Sequence, residues 1–115
     1  MTTAGAQVET LDCYMARENV ARIDFIKLDV DGNECQVLRG GMQTLQRFRP
    51  PIILELAPYI FSQDENSFEA FVGLLLGAGY RLSRAPGGAL LPRDAAALAR
   101  KIPDGFSINA WAMPA

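Results

Sequence analysis

Apolar and polar positions in this chain switch between a helical period and runs that suit strands. Thr10 stands as an N-cap before a short helix from Leu11 to about Asn19. Residues 23–30 follow, rich in β-branched and aromatic side chains, and read as a strand buried on both faces. Asp31 and Glu34 have the spacing of a capping box, opening a helix through Cys35, Val37 and Leu38. Gly40-Gly41 interrupts that helix, the pattern resumes at Met42 and Leu45, and Pro50-Pro51 stops it after Arg49. Residues 52–57 form a second apolar run. Asn66 and Glu69 make another cap pair before the clearest helix, whose Phe68, Phe71, Val72, Leu75 and Leu76 share one face. Gly77 and Gly79 end it. A strand at 80–84, a turn at Pro86-Gly87-Gly88, a short helix from Asp94 to about Lys101, a turn at Pro103-Asp104-Gly105 and a last strand at 106–113 complete the chain. This order predicts one α/β domain over residues 1–115, its first two strands parallel.

Composition narrows the function. Half of the 115 residues are apolar and the net charge is −2, so neither nucleic acid nor an anionic membrane surface is an expected partner. The uncharged run at 70–80 is too short to span a bilayer. The first residues lack the basic and apolar regions of a signal peptide, which makes the cytoplasm the expected location. Cys13 and Cys35 lie too far apart for a metal or redox motif and read as reduced packing thiols. The absence of histidine excludes Ser–His and Cys–His nucleophilic sites and the common zinc sites. Acid–base work falls to carboxylates, Lys27, the tyrosines or water.

The carboxylates that matter cluster at strand ends. Asp29, Asp31 and Glu34 arrive within six residues around Gly32, and strand alternation points Lys27, Asp29 and Asp31 the same way. Glu55 ends the next apolar run and, in a parallel neighbour, faces the same crevice. Ligands of open α/β sheets collect beyond the carboxyl ends of the strands. Asp31 and Glu34 have a plain alternative as an acidic cap and its partner, Glu55 one as a solvated strand end, and Lys27 one as an ion-pair partner. Oxygen ligation of a divalent cation is conceivable for Asp31 and Glu34, but the spacing is not that of a calcium loop and no metal site is expected. Tyr59 and Trp111 read as packing residues.

Val8-Glu9-Thr10-Leu11-Asp12, the string from Ile23-Asp24-Phe25-Ile26-Lys27-Leu28-Asp29 through Val30-Asp31-Gly32-Asn33-Glu34, Val37-Leu38-Arg39-Gly40-Gly41, and Arg49-Pro50-Pro51-Ile52-Ile53-Leu54-Glu55 occur in the order found in FkbM-type methyltransferases, which the chain resembles. Asp31 stands where glutamate is commoner in that family. The closing Asn109-Ala110-Trp111-Ala112-Met113-Pro114 is similar to the family's final strand. The resemblance implies the C-terminal half of a class I, Rossmann-like methyltransferase sheet. Its four strands would run 23–30, 52–56, 106–113, 80–84, with flanking helices and the last strand antiparallel and inserted.

It also implies an S-adenosylmethionine-dependent O-methyltransferase acting on a hydroxyl of a small molecule or sugar. Asp29 and Asp31 would be catalytic, Asp29 orienting or deprotonating the acceptor hydroxyl, while Glu34 and Glu55 would bind substrate. The glycine-rich loop and ribose-holding acid that cradle the cofactor in the family's first half have no match here, so a fragment is one expectation. A non-catalytic module for assembly or ligand binding is the rival reading. A half-sheet would leave the 23–30 strand with a bare outer edge, so a homodimer or association with a separate N-terminal half is expected.

Overall fold

A computed structural model describes residues 9–30 and 32–115. The N-cap Thr10 accepts from the Cys13 amide at 3.2 Å and opens α1 (Leu11–Glu18), which closes on Asn19 in a left-handed conformation. Next come β1 (Ile26–Leu28), α2 (Glu34–Gly40), α3 (Met42–Phe48), β2 (Ile52–Leu56) and a single 3₁₀ turn at Pro58–Ile60. The helix α4 (Phe68–Gly77), β3 (Tyr80–Arg84), α5 (Ala95–Arg100) and β4 (Ile108–Pro114) follow.

The sheet runs β1-β2-β4-β3, the order that the resemblance implies. β1 and β2 are parallel, with Ile26 opposite Ile52 and Leu28 opposite Leu54, because the crossover through α2 and α3 returns the chain to the same end. β4 is inserted antiparallel to both neighbours, pairing Glu55 with Asn109 on one side and Leu82 with Ala112 on the other.

One sheet face makes the core. Leu28, Ile52, Leu54, Leu56, Tyr80, Leu82, Ala110 and Ala112 are buried in one cluster with Leu38, Leu45, Phe71, Val72, Leu75 and Leu98 of the helices. Each large apolar side chain sequestered there contributes about 1.5–3 kcal/mol. The alternate residues form the other face: Lys27, Glu55, Arg81, Asn109 and Met113 are exposed, and Ile53 and Trp111 half-buried. Among the described residues no layer covers it.

Three close contacts fix the helices. A Cβ on Gly41 would lie 2.9 Å from Leu11 Cδ2, and one on Gly40 would lie 3.0 Å from Thr10. The Gly40-Gly41 break is therefore where α1 seats. Asp12 of α1 then accepts from the amides of Gln43 (3.2 Å) and Thr44 (2.8 Å) and from the Thr44 hydroxyl (2.6 Å), capping α3 from another helix. Arg49 donates to the carbonyls of Ala78 and Gly79 at the end of α4 and lies over the Tyr80 ring, whose hydroxyl donates to Pro50 O at 2.7 Å.

Several expectations need correction. The first strand is three residues long rather than eight, and only Leu28 in it is buried. Its pairing begins where the Ile26 amide meets Pro51 O; upstream it has no partner, and Lys27 and Phe25 are exposed. α2 begins at Glu34 with Asn33 as N-cap and no side-chain cap bond. Glu34 is thus the first residue of the helix, not the third; Asp31, the other half of the expected capping box, lies outside the described residues. At α4 the cap is Ser67, accepting from the Ala70 amide at 3.2 Å, while Asn66 receives Arg39. Phe106 precedes β4 and is exposed, Tyr59 is exposed rather than packed, and Cys13 is exposed while only Cys35 is buried.

Candidate functional site

The parallel strands β1 and β2 end side by side, and their next residues gather the chemistry. Asp29 follows Leu28 directly and Glu55 occupies the fourth position of β2, both exposed. Gly32, at φ 94, turns the chain back toward the sheet, and a Cβ there would press on Ile60 at 3.2 Å. The Asn33 amide and side chain both donate to Val30 O at 3.2 Å. This loop delivers Glu34 into the interior at the start of α2, where an acid also suits the helix dipole.

Asp29, Glu34 and Glu55 line one small cavity of about 30 Å3, closed by Leu28, Ala57, Ile60 and Phe61. Glu34 is only 8% exposed, and its Oε2 is enclosed with no hydrogen-bond donor among the described residues. Beside this cavity, a cleft of about 190 Å3 is lined by Lys27, Asp29, Glu55 and Asn109, with Ile53 and the ends of β1 and β2 beneath. Asp29 and Glu55 belong to both spaces. Such an arrangement can accept hydrogen bonds from a hydroxyl or amine and hold or take its proton.

The structure brings together Asp29, Glu34 and Glu55; Asp31 lies outside the described residues. Lys27 shares the cleft but forms no ion pair among the described residues, whose three ion pairs join Arg17 to Glu9 and Glu18, and Arg22 to Asp24. No acid, cysteine and histidine grouping fit to hold a metal occurs among the described residues. Asn109 enters the cleft unannounced by the sequence, because its place depends on the insertion of β4 beside Glu55.

A larger hollow lies elsewhere among the described residues: an open groove of about 970 Å3 between α1 and α2, walled by Leu11, Tyr14, Val37 and Gly40. Its charged groups, Glu9 and Arg17, already pair with one another. The convergent polar groups, not the larger hollow, mark the site.

Two side chains with shifted ionisation stand apart from it. Burial pushes the Cys35 thiol up, so this cysteine is not a poised nucleophile. Burial likewise raises Tyr80, against the opposite pull of Arg49.

No helix among the described residues is long and apolar enough to cross a membrane. Compared with known proteins, residues 1–82 match the family described as the methyltransferase FkbM domain. No curated protein and no solved structure gives a significant match.

Proposed function

The chain belongs to the FkbM methyltransferase family, and from that premise we propose that it forms the acceptor side of an S-adenosylmethionine-dependent O-methyltransferase. The acceptor is a small molecule or sugar carrying a hydroxyl. One observation carries this reading: Asp29, Glu34 and Glu55 line one space where β1 and β2 end, with Glu34 buried at the start of α2.

Asp29 serves the acceptor hydroxyl, orienting it and taking its proton as the methyl group arrives. Glu34 and Glu55 hold the remainder of the acceptor, with Asn109 and Lys27 along the adjoining cleft. Methyl transfer demands alignment above all, and strand ends in a paired sheet are rigid supports for it. Asp31, by its place in the family pattern, is assigned a second role beside Asp29.

The family implies a methyl donor of the S-adenosylmethionine type. Among the described residues, Gly32, Gly40 and Gly41 do not form a cradle for it. Ile60 fills the space over Gly32, and Thr10 and Leu11 fill that over Gly40 and Gly41. The donor is therefore assigned to structure beyond these residues, and the described part supplies the acceptor groups. Two free cysteines suit a reducing compartment such as the cytoplasm.

The test is transfer of labelled methyl from S-adenosylmethionine to a panel of hydroxylated acceptors by the protein in its full encoded length. Asp29→Asn keeps the shape and removes the charge; turnover is expected to fall by roughly a hundredfold or more with donor binding retained. Unchanged turnover in that variant, or donor binding with no acceptor methylated, would count against the reading.

A further inference from the structure

Strand register sets the open face of the sheet out as a grid. Lys27, Ile53, Trp111 and Ser83 stand level across β1, β2, β4 and β3. Leu90 bridges to Ser83 and extends this row past β3. Ile53 and Trp111 are half-buried, while Leu90 is 66% exposed and Met113, two residues along from Trp111, 43% exposed. Phe25, two residues before Lys27, is 57% exposed at the opposite edge. Apolar groups thus reach from one edge of the face to the other, a span of about 19 Å at the usual strand spacing. The charges follow the same grid. Glu55 pairs with Asn109, two residues before Trp111, and Arg81 pairs with Met113, two residues after it. The two therefore stand diagonally on opposite sides of Trp111, each roughly 8 Å from it along the sheet. Both are exposed, and neither joins an ion pair among the described residues.

A surface with opposite charges placed symmetrically about an aromatic residue is complementary to itself. We propose that the open sheet face binds a second copy of this chain, the two-fold axis lying between the stacked faces at Trp111. An axis perpendicular to the line from Glu55 to Arg81 sets Glu55 of each copy against Arg81 of the other, and Trp111 against its own counterpart. The same axis continues toward Phe25, so the exposed ring at the edge of β1 is covered as well. Another sheet suits the width of the face: a single helix, about 10–12 Å across, would leave Phe25 or Leu90 in water. Four strands and three rows of side chains give a flat area of roughly 400 Å2. A dimer built on it lies at the small end of specific interfaces, under about 1,200 Å2 in total, and is expected to form at micromolar concentrations. Glu55 also lines the cleft with Lys27, Asp29 and Asn109, so each copy adds Arg81 to the rim of the other's cleft.

The experiment is a charge-reversal cycle, read by sedimentation of the protein in its full encoded length across a concentration series. Arg81→Glu and Glu55→Arg are each expected to weaken the dimer by about tenfold, because each turns two attractions into two repulsions. Combining them restores both pairs with their signs exchanged, and association should return to within about threefold of the parent. Lys101→Glu, at the end of α5 and away from the face, should leave association unchanged. Circular dichroism establishes that each variant is folded. Should a single reversal not fold, the salt dependence of the unaltered protein decides, with raised salt expected to weaken the dimer. A monomer at every concentration, single reversals without effect, a double variant as weak as either single, or a dimer indifferent to salt would overturn the proposal. So would a complex with a different chain on this face in place of self-association. No methyl donor or acceptor takes part, so these outcomes stand apart from the methyltransferase reading.

Discussion

Asp12 shows how a single side chain can matter without touching the chemistry. The family string Thr10-Leu11-Asp12 resembles a functional motif, yet Thr10 caps its own helix and Asp12 caps α3 through three hydrogen bonds spanning 31 or 32 residues. Asp12→Ala is expected to cost about 1–2 kcal/mol in chemical denaturation, the range for loss of an N-cap. Asn, which keeps one acceptor oxygen, should recover most of it; equal losses in both variants would point to charge rather than capping. At this scale the site was legible in part. Asp29 and Glu55 could be found because strand ends in α/β sheets collect ligands. Glu34 was visible as a carboxylate, but its burial depends on the Gly32 turn against Ile60, a contact 28 residues away. Asn109 could not be found at all, since only the β4 register sets it opposite Glu55.

Among the elements, the helices were the readable part. α1 and α5 follow their caps closely, and α4 its apolar face although its cap is Ser67 rather than Asn66, because those signals are local. β1 is shorter than its apolar run, because a strand lasts only as long as its partner. β2 begins after Pro50 and Pro51, which donate no backbone hydrogen bond, so pairing starts at Ile26. The same proline pair gives the fold a joint between elements: Tyr80 at the start of β3 donates to Pro50 O, under Arg49. Because burial raises the Tyr80 hydroxyl above its unfolded value of about 10, its contribution to stability is fully present below that pH. It is lost as pH rises through the folded value. Denaturation midpoints are therefore expected to hold through neutral pH and decline in the alkaline range beyond about pH 10, with Tyr80→Phe showing a flatter decline. An equal slope in both proteins would remove Tyr80 as the cause.

For the molecule as a whole, the helices and one sheet face make the core, and the other face is open among the described residues. β1 is an edge strand whose Ile26 amide turns to β2, so backbone groups of Lys27 point outward. Three-residue length and an exposed lysine both blunt such an edge. The apolar side chains nearby do not: Phe25 is 57% exposed and Met113 43% exposed. Association is the expected outcome, with a second copy or a separately supplied N-terminal half meeting β1 and this face. Sedimentation across a micromolar concentration series should show species above 12.5 kDa, and Phe25→Ser should shift them toward the monomer. A concentration-independent monomer would end this expectation.

The position of Trp111 gives that face an optical readout. It is the chain's lone tryptophan, and it lies half-buried in the central antiparallel strand, between Ile53 of β2 and Ser83 of β3. An indole in that position changes its surroundings whenever anything settles on the open face and displaces water from it. Its emission should move to shorter wavelength on assembly, and a face that stays open should leave the colour of the fluorescence unchanged.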